Sequence, residues 1–201
     1  REPSYRARWA EMFTMVGGSA ATDPATAARW FERAQSEVAL AESLEPLMPY
    51  HVFNRGHLQL LFAQMLAEGQ REAAAANAEL ALQSAFDRLP FDPQVANELA
   101  LAKILQRKGD AVALLEYVRD QLDPENPTTW QLLGRAYSVA GRTQEAADAA
   151  QRALDLDGAS PENMVVLGDI ARQNGDLLGA IQWYEQAAEA GPVSWQVLYN
   201  L

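Results

Sequence analysis

The amino-acid sequence predicts an all-α protein in which antiparallel helix pairs stack into a solenoid. Alanine, the strongest helix former, is abundant and occurs in runs such as Ala73 to Ala76. No stretch alternates Val, Ile or Thr with polar residues between hairpin turns, which is the pattern that indicates strands. A pattern of small and apolar residues also recurs towards the C-terminal end of the chain. Because one helix pair cannot bury a core alone, about five predicted pairs must stack on each other.

The first predicted element is an irregular helical hairpin over residues 1–48. Its first helix is predicted from Tyr5 to Val16. Asp23 and Pro24 are suited to the N-cap and first turn of a helix, and they open a long helix that runs to about Leu44. Two prolines just beyond that helix end the segment.

Two degenerate repeats follow, over residues 49–92 and 93–125. The first is predicted to turn at Gly69 and the second at Gly109, since glycine is common where a helix ends. The segment Leu89 to Pro93 contains two prolines and could separate two domains. We interpret it as an ordinary loop between repeats within one solenoid.

Two stronger repeats cover residues 126–159 and 160–193. When the first is laid over the second at an offset of 34 residues, six positions are identical. These pairs are Pro127 with Pro161, Leu133 with Leu167, Gly134 with Gly168, Gly141 with Gly175, Ala146 with Ala180, and Ala153 with Ala187. The small residues indicate places where helices approach closely.

The first of these repeats carries a specific motif, W-x2-L-G-x2-Y, as Trp130, Leu133, Gly134 and Tyr137. In this motif the chain resembles the tetratricopeptide repeat (TPR) family. The resemblance implies a right-handed superhelical solenoid in which the first helix of each pair lines a concave groove.

The same resemblance assigns structural roles within the repeat. Gly134 and Ala146 are placed where the two helices of a pair nearly touch. Gly141 is predicted to end the first helix in a left-handed conformation, and Thr143 to cap the second. A further helix is predicted to begin near Ser194, within residues 194–201. We expect the chain to be a piece of a longer protein and its apolar C-terminal edge to support a homodimer.

Composition excludes several classes of partner. The net charge is −11 and no basic stripe is present, so binding to nucleic acid is not expected. No apolar run is long enough to cross a bilayer, and the chain contains no cysteine. Neither observation decides between a cytoplasmic and an extracytoplasmic location.

No residue pattern indicates catalysis, a metal site or a cofactor. His51 and His57 would not share a helix face, and neither has a carboxylate at ligand spacing in the sequence. Asp155, Asp157 and Gly158 resemble the start of a calcium loop but lack its closing glutamate. The sequence therefore predicts a protein that is not an enzyme.

The predicted working surface is the groove, where a peptide or helix of another protein would bind. Helical spacing places nine residues on the face beside the core stripe: Leu99, Lys103, Gln106, Gln131, Arg135, Ser138, Val165, Asp169 and Arg172. An equally good interpretation is that Arg135 and Asp169 pair across adjacent repeats and stabilise the solenoid.

Two other functions are also compatible with the sequence. An irregular hairpin followed by TPR pairs resembles, in layout, the extracytoplasmic domains of some bacterial membrane enzymes that ligate or polymerise glycans. The groove could also bind a small molecule or glycan, although Trp30, Trp130 and Trp183 fit packing positions better than an exposed platform.

Overall fold

The computed structural model describes residues 24–66, 68–158 and 160–190. The predicted helix over residues 5–16, the Asp23 cap and the predicted helix near Ser194 lie outside this part of the chain. Within it, the protein is an all-α helical repeat solenoid with nine α-helices and no β-strand. No helix of the described ranges is both long and apolar enough to cross a membrane.

The chain divides into two compact units between Lys108 and Gly109. The helices of the first unit are α1 (Pro24–Leu44), α2 (Pro49–Met65), α3 (Glu68–Phe86) and α4 (Pro93–Leu105). The helices of the second unit are α5 (Asp110–Tyr117), α6 (Pro127–Val139), α7 (Thr143–Asp157), α8 (Pro161–Gln173) and α9 (Leu177–Ala190). A π-helical turn, Val118–Leu122, extends α5.

Helices α2 and α3 form the central pair of the first unit. Gly56 of α2 lies so close to Leu82 of α3 that an added Cβ would approach Leu82 Cγ to 2.6 Å. Helix α1 packs on α2, where the Phe31 and Phe62 rings stack with centroids 3.9 Å apart. These contacts build the apolar core of the unit, because small residues let the helices approach and large side chains fill the remaining space.

The turn predicted at Gly69 lies elsewhere, whereas the turn predicted at Gly109 is confirmed. Gly69 lies in the first turn of α3, because α2 has already ended at Met65 and α3 begins at Glu68. Gly109 lies in the connection between α4, which ends at Leu105, and α5, which begins at Asp110. The left-handed residue of that connection is Arg107, with φ of 55°, and Gly109 is the N-cap of α5.

In the second unit, a glycine on the first helix of each pair lies close to the second helix. An added Cβ on Gly134 of α6 would lie 3.4 Å from the Ala146 carbonyl oxygen and the Ala150 nitrogen of α7, so this pair of helices does nearly touch. On α8, an added Cβ at Gly168 would approach Cε1 of Tyr184 to 2.5 Å. The predicted close approach at Gly134 and Ala146 is confirmed.

The helix ends in the second unit are determined by the residues at or next to each end. Gly141 and Gly175 adopt φ of 73° and 80° just after α6 and α8, as predicted for Gly141. The Asn126 side chain caps α6 by accepting a hydrogen bond from the Thr129 amide at 3.2 Å. The predicted cap at Thr143 is wrong, because this residue is the first of α7 and Arg142 occupies the cap position.

Candidate functional site

The first helices of the two strong repeats, α6 and α8, lie side by side in the second unit. Gln131, Arg135 and Ser138 follow one another on α6 at spacings of four and three residues, so they share one face of the helix. All three are partly exposed, whereas Leu132, Leu133 and Ala136 on the neighbouring stripe are buried. The face therefore combines a core-directed apolar stripe with an accessible polar one.

Thirty-four residues later, α8 presents the corresponding positions Val165, Asp169 and Arg172. Val165 is only 6% exposed and belongs to the core, so its assignment to a binding groove is corrected here. Asp169 is partly exposed and half of the Arg172 side chain is exposed. We call the remaining accessible set, Gln131, Arg135, Ser138, Asp169 and Arg172, the polar strip.

Asp169 is held in place from two directions. The Tyr184 hydroxyl of α9 donates a hydrogen bond to Asp169 Oδ1 at 2.8 Å, and Arg172 Nη2 donates to the same oxygen at 3.3 Å. Burial raises the pKa of the Tyr184 hydroxyl above its usual value, and the hydrogen bond to the carboxylate raises it further. These two contacts thus hold the Asp169 carboxylate in one orientation.

A second cluster joins α6 to residues that come before and after it in the chain, Glu116 of α5 and Arg142. The Tyr137 hydroxyl donates to Glu116 Oε1 at 2.9 Å, and the Arg142 guanidinium lies 4.4 Å from the centre of the Tyr137 ring. Burial, followed by the hydrogen bond to Glu116, raises the pKa of Tyr137. Trp130 donates from Nε1 to the Pro124 carbonyl oxygen at 2.8 Å. The motif aromatics therefore fix the position of α6.

The three predicted groove residues of the first unit have structural contacts. Leu99 is 1% exposed and lies in the core, so its placement in a groove is corrected. Lys103 Nζ donates to Glu79 Oε1 at 3.2 Å, and Gln106 Nε2 donates to Glu79 Oε2 at 2.6 Å. Lys108 Nζ donates to the same Oε2 at 2.6 Å.

Glu79 of α3 therefore links this helix to the C-terminal end of α4 by hydrogen bonds. Burial favours the neutral carboxyl, but the hydrogen bonds from Lys108, Gln106 and Lys103 outweigh it and hold the Glu79 pKa below its usual range. Sequence spacing could not identify this residue, because it precedes its partners by 24 to 29 positions. Lys103 and Gln106 are consequently left out of the polar strip.

Both histidines have carboxylate partners in the structure that spacing in the sequence does not reveal. His57 Nδ1 lies 2.8 Å from both oxygens of Glu98, and His51 Nε2 lies 3.2 Å from Glu45 Oε2. Each pair joins groups that spacing along one helix cannot bring together. In the part of the chain that the structure describes, no three His, Asp or Glu side chains form a metal-ligand group.

The segment that resembled a calcium loop is the end of α7. Gly158 follows Asp157, the last residue of the helix, with φ of 72°, and its amide donates to the Leu154 carbonyl oxygen at 2.8 Å. Asp155 accepts a hydrogen bond from Gln151, one helical turn earlier. These residues terminate a helix by ordinary local contacts.

The repeats of this chain match one known protein family. The tetratricopeptide repeat family model matches residues 105–163 and 132–194, which confirms the resemblance drawn from the Trp130 motif. Members of this family are generally non-catalytic scaffolds that bind other proteins. No curated protein matches the chain in sequence.

Solved structures share the fold at low sequence identity. A thermophilic TPR protein of Thermus thermophilus is 16% identical, with a TM-score of 0.70 over 95% of this chain and 96% of its own. MamA from Desulfovibrio magneticus RS-1 is also 16% identical, with a TM-score of 0.63 over 90% and 94% of the two chains. MamA MSR-1 is 21% identical, with a TM-score of 0.57 over 90% and 95%. These similarities establish the fold alone.

Proposed function

We propose, since this chain carries tetratricopeptide repeats over residues 105–194, that it is a non-catalytic scaffold whose polar strip binds a peptide or helix of a partner protein. The observation that carries the proposal is the pairing of α6 and α8. It brings two polar stripes from successive repeats side by side over a buried apolar layer. Solenoid repeats form extended binding surfaces in this way.

The chemistry of the strip favours a partner segment that presents hydrogen-bond acceptors. Gln131, Arg135 and Arg172 carry donor groups, and guanidinium groups are suited to carboxylates and carbonyl oxygens. Asp169 is already engaged by Tyr184 and Arg172, so it orients the Arg172 side chain as well as offering an acceptor. An acidic or carbonyl-rich segment would therefore be bound in preference to a basic one.

Charge reversal on the strip tests this function. We would compare affinity capture from native lysate by the wild type and by Arg135→Glu/Arg172→Glu. Arg152→Glu is the matched control, because Arg152 is an exposed arginine on α7, outside the strip. Lys103 is unsuitable for such a test, because reversing its charge would break its contact with Glu79.

The proposal predicts a protein retained by the wild type and by Arg152→Glu but lost with the double variant. Circular dichroism would establish that all three proteins are equally helical. Equal capture by all three would show that the partner binds elsewhere.

A further inference from the structure

Helix α1 has an exposed face that changes from basic to apolar along its length. Helical spacing brings four exposed residues onto this face: Arg29, Arg33, Leu40 and Leu44. Leu40 is 40% exposed and Leu44 54%, whereas Ala34 and Val38, on the other side of the helix, are buried. Of the acidic residues nearby, Glu32 lies about 100° around the helix from Arg33 and Glu37 is only partly exposed. We call the four residues the α1 face.

Helix α9 has an exposed face that changes from apolar to acidic in the same chain direction. Its four exposed residues are Leu178, Ile181, Glu185 and Glu189. Leu178 is 76% exposed and Ile181 51%, whereas Ala180 and Ala187 on the opposite side are buried. We call these four residues the α9 face.

The repeat fold itself does not require apolar residues on the α9 face. The corresponding positions of α7, 34 residues earlier, are Gln144, Ala147, Gln151 and Asp155. Two of them are engaged within α7, where Gln151 Nε2 donates to Asp155 Oδ1 at 3.1 Å. The large apolar side chains of the α9 face are therefore a feature of this helix alone, and apolar groups clustered on a surface are typical of an interaction site.

The two faces are complementary when the helices are antiparallel. Arg33 and Leu44 are 11 residues apart, and so are Leu178 and Glu189. An alignment that places Arg33 beside Glu189 therefore places Leu44 beside Leu178, over about 16 Å of helix. Leu40 then lies within one position of Ile181. A parallel alignment would instead place the arginines beside the leucine and isoleucine, so the pattern selects one direction.

We propose that the α1 face of one molecule packs antiparallel on the α9 face of a second copy. The apolar residues of the two faces pack together, and the guanidinium groups of one face bind the carboxylates of the other. Because two different faces meet, the contact is heterologous, and such contacts join copies into rings or open chains. Neither face contains a residue of the polar strip, so self-association goes beyond the proposed partner binding.

Sedimentation equilibrium of the whole chain tests this proposal. A contact between single helices buries less surface than the roughly 1,200 to 2,000 Å² of a stable interface, so a wide range from about 10 μM to about 1 mM is needed. The variants are Arg29→Glu/Arg33→Glu and Glu185→Arg/Glu189→Arg. The matched control is Arg88→Glu/Arg152→Glu, which reverses two exposed arginines outside both faces and changes the net charge as the first variant does.

The wild type and the control should associate equally, and each of the two variants alone should associate about tenfold more weakly or less. In an equimolar mixture of the two variants, an acidic α1 face meets a basic α9 face, so association should return. Mixing cannot restore a protein that has failed to fold, which separates loss of the contact from loss of the fold. A wild type that stays monomeric, or a mixture that associates no better than either variant alone, would overturn the proposal.

The apolar half of the contact has its own test. Leu40→Ser/Leu44→Ser should also weaken association by about tenfold or more. Leu80→Ser should not, because Leu80 is an exposed leucine (74%) of α3, outside both faces. Equal association by these two variants would overturn the proposal, because the contact would then lie elsewhere.

Discussion

The ring of Tyr184 occupies the space over Gly168 that a larger residue would need. An added Cβ on Gly168 would come within 2.5 Å of Cε1 of Tyr184, and the hydroxyl of the same ring donates to Asp169, the next residue of α8. The repeat motif and the polar strip are therefore coupled, because the glycine that lets α9 approach α8 also places the tyrosine that orients Asp169.

Gly168→Ala should destabilise the second unit by roughly 1 to 3 kcal/mol, because the added methyl group must displace an aromatic ring that is packed between two helices. Urea unfolding followed by circular dichroism measures this change. Gly69→Ala is the control: no atom lies within 4 Å of the added Cβ, and alanine in a helix should stabilise the protein by about 0.5 to 1 kcal/mol. Equal effects of the two substitutions would contradict the packing argument.

Tyr184→Phe should lower the free energy of unfolding by about 1 kcal/mol, since the ring still packs on Gly168 but its hydrogen bond to Asp169 is lost. In a double-mutant cycle with Asp169→Ala, the two effects should be less than additive because both remove the same contact. Strict additivity would show that the hydrogen bond contributes little.

Alkaline pH should destabilise the second unit through Tyr137, which is buried, and Tyr184, which is partly buried. The pKa values of Tyr137 and Tyr184 are both raised in the folded protein, first by burial and then by a carboxylate partner. The native state therefore holds these protons more tightly than the unfolded state, and stability falls as the pH rises above about 10. Urea unfolding from about pH 8 to about pH 11 measures this effect. The free energy of unfolding should decline more steeply with rising pH for the wild type than for Tyr137→Phe/Tyr184→Phe.

Glu79→Gln should destabilise the first unit by roughly 1 to 3 kcal/mol at neutral pH, because Lys103 and Lys108 lose their charged acceptor. The pKa of Glu79 is lowered in the folded protein, so this contribution is lost as the pH falls below its ordinary value of about 4.5. Glu72→Gln, at an exposed position of the same helix, is the control. A gap between Glu79→Gln and the wild type that persists unchanged at low pH would contradict the assignment.

The periodic features of the fold could be predicted from the sequence because they depend on local residue type. Gly134 and Gly168 recur at the repeat spacing, and both mark real close approaches between helices. The end of α1 at Leu44 also follows the predicted limit. Each of these signals is confined to a few neighbouring residues.

Contacts between distant residues could not be predicted in the same way. Glu79 binds Lys103 across two helices, and His57 meets Glu98 from 41 positions away, so no spacing rule applies to either pair. The same limit explains Leu99 and Val165, which helical spacing placed beside the core stripe but packing against neighbouring helices buries. Of the predicted groove residues, only those of the polar strip on α6 and α8 are therefore kept in the proposed binding site.

Site-specific photo-crosslinking tests the central proposal, partner binding on the polar strip, most directly. A benzophenone amino acid would replace Ser138 on the strip or, as the control, Gln151 at an exposed position of α7. After irradiation in native lysate, the proposal predicts a crosslinked partner protein from position 138 and none from position 151. The same partner crosslinked from position 151 alone, or equally from both positions, would contradict it.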